Sequence, residues 1–343
     1  MRRRDWLLGS IVALGGCAAP DVPGGGGAHP VVFFDAARGT RLAGREVRRR
    51  ARQSPLVLMG EMHDNLVHHE ARAALLRDWL RERPERPAAV VFEQLDREHD
   101  DALAQAQRQA RAGAPGEERR DGVDADDPAR LERLLDAARF DRQAWRWPAH
   151  RPLFEAALAG GARWIAANFS RASARRLRGE GGASVDPALQ AVVESARWDD
   201  QAQAALERAL LRGHCDALPA AALPAVVRAQ RLRDAALALP LLDAAERRSV
   251  LVAGNGHVRR DFGVPRYLGA LEREALVIGF EELEAPGEGG RADAPSLEQA
   301  ARERSLARLL GDQRAAAVGA RFDLVALTAP RPGREDPCRQ LRG

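Results

Sequence analysis

Six short, nearly unbroken apolar runs constrain this chain more than anything else in it. They are "LVLMG" (56–60), "AAVVFEQ" (88–94), "RWIAAN" (163–168), "SVLVAGNG" (249–256), "ALVIGF" (275–280) and "FDLVALT" (322–328). None alternates apolar with polar residues, so neither face of the strands they predict can look into water. Such strands are covered on both sides, as in a parallel sheet. Between the first two runs, Leu75, Leu76, Trp79 and Leu80 recur at helical spacing within 66–83. Strand, helix, strand is the grammar of an α/β fold. The expected architecture is an open, mainly parallel sheet of about five to six strands flanked by helices. "VVFFDAARG" (31–39) is expected to add a peripheral strand. The segments near 96–160 and 170–246 carry helical patterns and no good strand, which predicts helical insertions forming a cap or subdomain.

The chemistry collects where these runs end. The first is followed by Glu61 and His63, and the second ends on Glu93 and Gln94. The third ends on Asn168, with Ser170 and Arg171 behind it, and the fourth ends on "GNGH", with Asn255 and His257. In open parallel sheets ligands bind at the carboxyl edge, where loops and helix N-termini converge. Glu61, His63, Glu93 and His257 therefore form a candidate cluster of two acids and two imidazoles. Such a cluster suits metal ligation or general acid/base work. A polar network that merely closes the strand ends is the competing reading. Asp64 or Asn65 is the expected N-cap of the next helix, which puts His68 and His69 in its first turn. There the helix dipole favours neutral imidazole. Adjacent helical residues diverge by about 100°, so one of this pair is expected near the site and the other on a solvated turn. The glycines of "GNGH" allow close backbone approach. Neither His-Glu-x-x-His nor Gly-x-Ser-x-Gly occurs in the chain.

Tyr267 is the only tyrosine. A phenolate can ligate ferric haem iron; an amphipathic tyrosine at a helix start is the plainer reading. His214 either faces the cleft or caps a helix before Pro219, while His99 and His150 read as structural or exposed.

The N-terminus carries an address. "MRRR", "WLLGSIVAL" and "LGGC" look like a bacterial lipoprotein signal over residues 1–17, with Cys17 as the lipidated residue. Acyl chains there would hold the protein on a membrane, at roughly 0.8 kcal/mol per buried methylene. Residues 18–30 read as a flexible tether, 31–330 as the body and 331–343 as a tail, with a loop at 284–296. Ala18 rather than aspartate follows the cysteine, pointing to the periplasmic face of the outer membrane in the cell envelope. Export makes a Cys215–Cys338 disulfide possible, with two free thiols as the alternative. The net charge of +4 includes Arg2, Arg3 and Arg4, and the remaining charges interleave. That is not a nucleic-acid footprint, which needs a concentrated basic face.

"LVLMGEMHDNLVHH", "VVFEQLDR", "WIAANFSR", "GHCDALP", "AQRLRDAALA" and "LVAGNGHVRRDFGVP" occur in this order. Together they resemble the ChaN-like family of bacterial lipoproteins, grouped with Tiki-type metalloproteases and erythromycin-esterase-like proteins. The resemblance covers most of residues 31–280. It implies an α/β body with helical additions, a role in haem or iron acquisition, and a homodimer around haem. Glu61, His63, Glu93, Asn168, Arg171, Asn255 and His257 occupy the family's motif positions. Haem ligation by tyrosine and histidine then falls to Tyr267 and His257, with Arg171 and Arg259 or Arg260 for the propionates. Asn168, Asn255 and His214 are expected to line the cleft. The alternative is a hydrolase using Glu61, His63, Glu93 and His257 around a divalent metal or an activated water. The expected partners are haem, a membrane and a second copy.

Overall fold

All six apolar runs are strands, and each sends alternate side chains to opposite faces of one sheet. Val57, Met59, Val90, Phe92, Val250, Val252, Ile278 and Phe280 enter one apolar cluster. Their neighbours Leu56, Leu58, Ala89, Val91, Leu251 and Val277 enter the other. Both faces are dry, so the middle of each strand is apolar on both sides.

In a computed structural model, residues 31–82, 87–112, 128–178, 186–243, 248–283, 321–331, 333, 334 and 338 are described. The signal, the tether, the 284–296 loop and the rest of the tail lie outside them. The chain begins β1 (Val32–Asp35), β2 (Thr40–Leu42), α1 (Gly44–Gln53), β3 (Leu56–Met59), α2 (Leu66–Glu82), β4 (Ala88–Asp96). It continues α3 (Asp100–Ala112), α4 (Pro128–Ala137), α5 (Arg151–Ala159), β5 (Arg163–Asn168), α6 (Arg171–Arg178), α7 (Pro187–Ser195). It ends α8 (Asp200–Gly213), α9 (Leu223–Asp243), β6 (Arg248–Val252), α10 (Asn255–Val258), β7 (Ala275–Glu282) and β8 (Leu324–Thr328).

The strand order is β2-β1-β8-β7-β3-β6-β4-β5. β8 through β5 run parallel, and β1 and β2 add an antiparallel flank that brings the sheet to eight strands. α2 and α5 cover one face, where Trp79, Leu76 and Phe154 pack. α7 and α9 cover the other with Leu189, Leu232 and Leu237. Burying one such large side chain is worth about 1.5–3 kcal/mol. Gly279 is required by a close approach, since a Cβ there would meet the Phe322 ring at 2.6 Å.

The outer edge of β5 is closed by side chains from α3. Gln107 accepts from the Trp164 N–H at 2.8 Å and donates to its carbonyl at 2.9 Å. Asp100 accepts from the Ala166 N–H at 2.7 Å.

Cys215 and Cys338 form a disulfide, with a Cα–Cα distance of 5.3 Å, which decides between the two alternatives the sequence left open. It ties the end of α8 to the tail. Just before the bridge, Arg331 and Arg334 pair with Asp64 at 2.9 and 2.5 Å, and Arg334 pairs with Glu282 at 2.5 Å. The loop that follows β3 is thereby tied to the segment after β8 and to the end of β7.

Candidate functional site

Four parallel strands deliver polar groups to one edge. β3 leads into Glu61 and His63, β4 contains Glu93 and Gln94, β5 ends on Asn168, and β6 leads into Asn255 and His257. β6 lies between β3 and β4, so its loop falls between the other two. The β3 and β6 loops are laced together by the Asn255 N–H, which donates to the Glu61 carbonyl at 2.9 Å. Asn255 also clamps β7, accepting from the Phe280 N–H at 3.0 Å and donating to its carbonyl at 2.5 Å.

Glu61 is the hub. It is buried, and its Oε1 accepts from His63 Nδ1 at 2.8 Å and from Gln94 at 3.4 Å. His150 Nε2 lies 3.1 Å from the same oxygen. On the other side Arg72 Nη2 pairs with Oε2, and His69 Nε2 is 3.1 Å from it. Arg72 is fully buried, and burial pulls its pKa down to about 9. The ligand atoms of Glu61, His69 and His150 all lie within 4.8 Å of one another, so these three can hold a metal ion.

Glu93 anchors a second network. Its Oε2 accepts the Gly254 N–H at 2.6 Å, and its Oε1 is 3.2 Å from His257 Nε2. His257 Nδ1 meets Asp234 Oδ1 of α9 at 2.6 Å, with Gln230 at 3.1 Å. Burial alone would lower the His257 pKa, but Glu93 and Asp234 outweigh it and raise it to about 10. The imidazolium, with His63 and the Gly254 N–H, in turn holds Glu93 well below the usual carboxylate range against the effect of burial. Asp234, the second carboxylate facing a single cation, is pushed up to about 6 by burial. With both nitrogens directed at carboxylates, His257 offers no lone pair to a metal.

His63 lies between the networks. Its side chain is 49% exposed, and its Nε2 is 3.9 Å from Glu93 Oε1. Trp145 packs edge-on against its ring at 5.2 Å. Leu66, 58% exposed, is three residues further along the chain.

The helix following this loop corrects one expectation. Asn65 is the cap, accepting from the Val67 N–H at 2.9 Å, while Asp64 serves Arg331 and Arg334. His68 and His69 are both fully buried, so neither occupies a solvated turn. α2 lies in a trough between β8 and the segment before α5. His68 accepts from the Met62 N–H at 3.1 Å and donates to Thr328 at 2.9 Å, and His69 donates to the Ala149 carbonyl at 2.9 Å. Burial lowers the His68 pKa to about 3 and the His69 pKa to about 4. His150, read from sequence as structural or exposed, is buried against Glu61, with its pKa lowered to about 2 by burial and then by His69.

Other sequence candidates lie elsewhere. Tyr267 is 2% exposed and packs against Trp198 in the α9-side cluster, where burial pushes its hydroxyl pKa up. Asn168 is buried and donates to the Glu93 carbonyl at 3.0 Å. Arg171 opens α6 and is exposed. His214 is an exposed C-cap of α8, its Nδ1 2.7 Å from the Leu210 carbonyl. Arg259 and Arg260 are engaged by Asp261 and Asp323. Asp234, Arg72 and His150 were not singled out from sequence. Asp234 alone left a local trace, an acid inside the apolar helical stretch "LRDAALAL".

Fold and site together define an α/β protein with a buried carboxylate–imidazole cluster that opens at the sheet's carboxyl edge. Residues 47–268 match the family described as haem-binding uptake, Tiki superfamily, ChaN, and the chain belongs to that family. No curated protein matches the sequence. Among solved structures, one described as cofacial haem binding to ChaN of Campylobacter jejuni has a TM-score of 0.61 at 14% identity, covering 88% of this chain and 97% of that one. This likeness shows a shared fold. A mutant of the erythromycin esterase EreC, in its open conformation, covers 89% of this chain and 98% of its own at 13% identity. Its TM-score of 0.40 carries no weight for this chain.

Proposed function

We propose that this chain is a lipid-anchored haem-binding protein of the bacterial envelope, serving haem or iron acquisition, with His63 Nε2 as the iron ligand. One observation carries the assignment of the ligand. Among the described histidines at the strand edge, His63 is half-exposed while His68, His69, His150 and His257 are buried. Its Nδ1–H is engaged by Glu61, which leaves the Nε2 lone pair for a metal. Histidine is an established haem ligand, and a carboxylate behind the imidazole raises its basicity. Leu66 and Trp145 supply apolar surface beside the ring. Arg171, exposed on the same edge of the sheet, suits a propionate. Tyr267 and His257, the ligands suggested by resemblance, sit in buried surroundings, and His63 takes their place in this proposal.

An exposed ligand covers one face of a porphyrin. Cofacial haem binding in the Campylobacter protein supports a second copy closing the other face. The signal pattern ending at Cys17 supports a membrane anchor, and Ala18 supports the periplasmic face of the outer membrane. The Cys215–Cys338 disulfide is in keeping with an oxidising compartment.

Titration of the protein lacking residues 1–17 with haemin tests the site. A saturable Soret shift is expected in the wild type and in Tyr267→Phe, and its loss in His63→Ala. No saturable shift in the wild type, or an unchanged one in His63→Ala, rejects it. A second reading draws on the same pair: His63 backed by Glu61, with Glu93 near its Nε2, is also the arrangement of a general base. Turnover of ester or peptide substrates that disappears in His63→Ala, with no haemin shift, would favour the hydrolase.

A further inference from the structure

Beneath the exposed edge, Glu61 is faced by lone pairs. His69 Nδ1 is 2.9 Å from the Ala149 carbonyl, and His150 Nδ1 is 3.1 Å from the Trp145 carbonyl. A carbonyl only accepts, so each Nδ1 carries the hydrogen and each Nε2 presents a lone pair. Both lone pairs point at a carboxylate: His69 Nε2 is 3.1 Å from Glu61 Oε2, and His150 Nε2 is 3.1 Å from Oε1. His69 Nε2 has no hydrogen-bond partner, Glu61 Oε2 is engaged by Arg72 Nη2, and the two imidazoles and the carboxylate are all buried. A buried imidazole lone pair that faces a carboxylate oxygen and has no donor of its own is costly. Arg72 serves Oε2 through Nη2, and its Nη1 runs to the Met59 and Ala253 carbonyls, both at 3.4 Å, so neither imidazole receives a hydrogen bond from it.

We infer that Glu61, His69 and His150 form a binding site for one divalent transition-metal ion, behind the His63 edge and joined to it through Glu61. Two imidazoles and a carboxylate are a ligand set for zinc, cobalt or ferrous iron rather than for calcium or magnesium. The spacing suits it, because bonds of about 2.0–2.1 Å in tetrahedral geometry put ligand atoms about 3.3 Å apart. The 3.1 Å separations lie close to that figure, and all three ligand atoms fall within 4.8 Å. The backbone carbonyls that hold each Nδ1–H are the outer partners metal-bound histidines use to fix ring and tautomer. A metal here shares Glu61 with both Arg72 and His63, so it would fix the carboxylate that orients the exposed imidazole. The inference stands without the haem reading.

The test is cobalt titration of the chelator-treated full chain with no haemin present. One equivalent is expected to bind, with the visible ligand-field absorption of a four-coordinate ion. His69→Gln and His150→Ala should each weaken uptake more than tenfold, whereas His63→Ala should retain it, with circular dichroism reporting the fold of every variant. Absence of stoichiometric uptake by the wild type overturns the site, whatever the variants do. Uptake unchanged in both His69→Gln and His150→Ala, or lost in His63→Ala as much as in these two, also overturns it.

Discussion

His63 gives its Nδ1 hydrogen to Glu61 at 2.8 Å, and the carboxylate that receives it also neutralises the buried Arg72. Glu61 thus orients an exposed ring and pairs an interior cation. Glu61→Gln should therefore cost stability as well as function. Leaving a buried ion without its partner is worth about 3–5 kcal/mol, so the urea midpoint should fall accordingly. At a temperature where the variant stays folded, haemin affinity should drop about 10–100-fold, the usual effect of losing the partner behind a metal-bound histidine. A midpoint within experimental error of the wild type would contradict the pairing with Arg72.

His257 should make stability fall on the alkaline side. Glu93 and Asp234 raise its pKa to about 10, above the ordinary 6.5, so the folded state holds the proton more tightly than the unfolded chain. The resulting contribution is complete below about pH 6.5 and disappears as pH rises through about 10. Asp234, Gln230 and Glu93 are the groups facing the ring. Urea unfolding of wild type and His257→Gln at about pH 7 and about pH 10.5 checks this. The stability gap between them should narrow at the higher pH, and a constant gap would count against a charged His257.

Gly254→Ala should damage the site while sparing the fold. A Cβ at this position would lie 2.8 Å from His63 Cε1 and Nε2, yet the backbone there (φ −67°, ψ 155°) suits alanine. The expected result is haemin binding weakened at least tenfold with a nearly unchanged melting temperature. Unaltered affinity would show that the His63 ring is free to move aside.

The disulfide closes a loop with a sequence separation of 123 residues. Chain-entropy reasoning gives such a crosslink up to about 5 kcal/mol. Paired Cys215→Ser and Cys338→Ser substitutions should lower the urea midpoint, and denatured protein lacking residues 1–17 should show no free thiol. Two titratable thiols in that sample would remove the bridge.

The sheet was legible because burial on both faces makes the middles of β3 through β8 nearly all apolar, so the strands announce themselves as apolar runs. Polar residues such as Arg248, Glu93 and Gln94 stand towards their ends. Their ends were legible for the same reason, since the first polar residue after each run marks the carboxyl edge. What escaped came from distant segments. Nothing near "PAHRPLF" signals that His150 will meet Glu61, because that meeting depends on how α2 and α5 pack. The expectation that one of His68 and His69 would be solvated failed similarly. The two rings do diverge around the helix, but protein waits on both sides of it. Tyr267 drew interest for being unique, and uniqueness says nothing about depth.

Among the described residues, Gln107 and Asp100 occupy outward main-chain groups of β5 at Trp164 and Ala166, and β2 is only three residues long, so the borders of the sheet are poor templates for an incoming strand. Recognition at these two borders then rests on side chains rather than on main-chain pairing, which disfavours the indiscriminate backbone zippering that seeds aggregates.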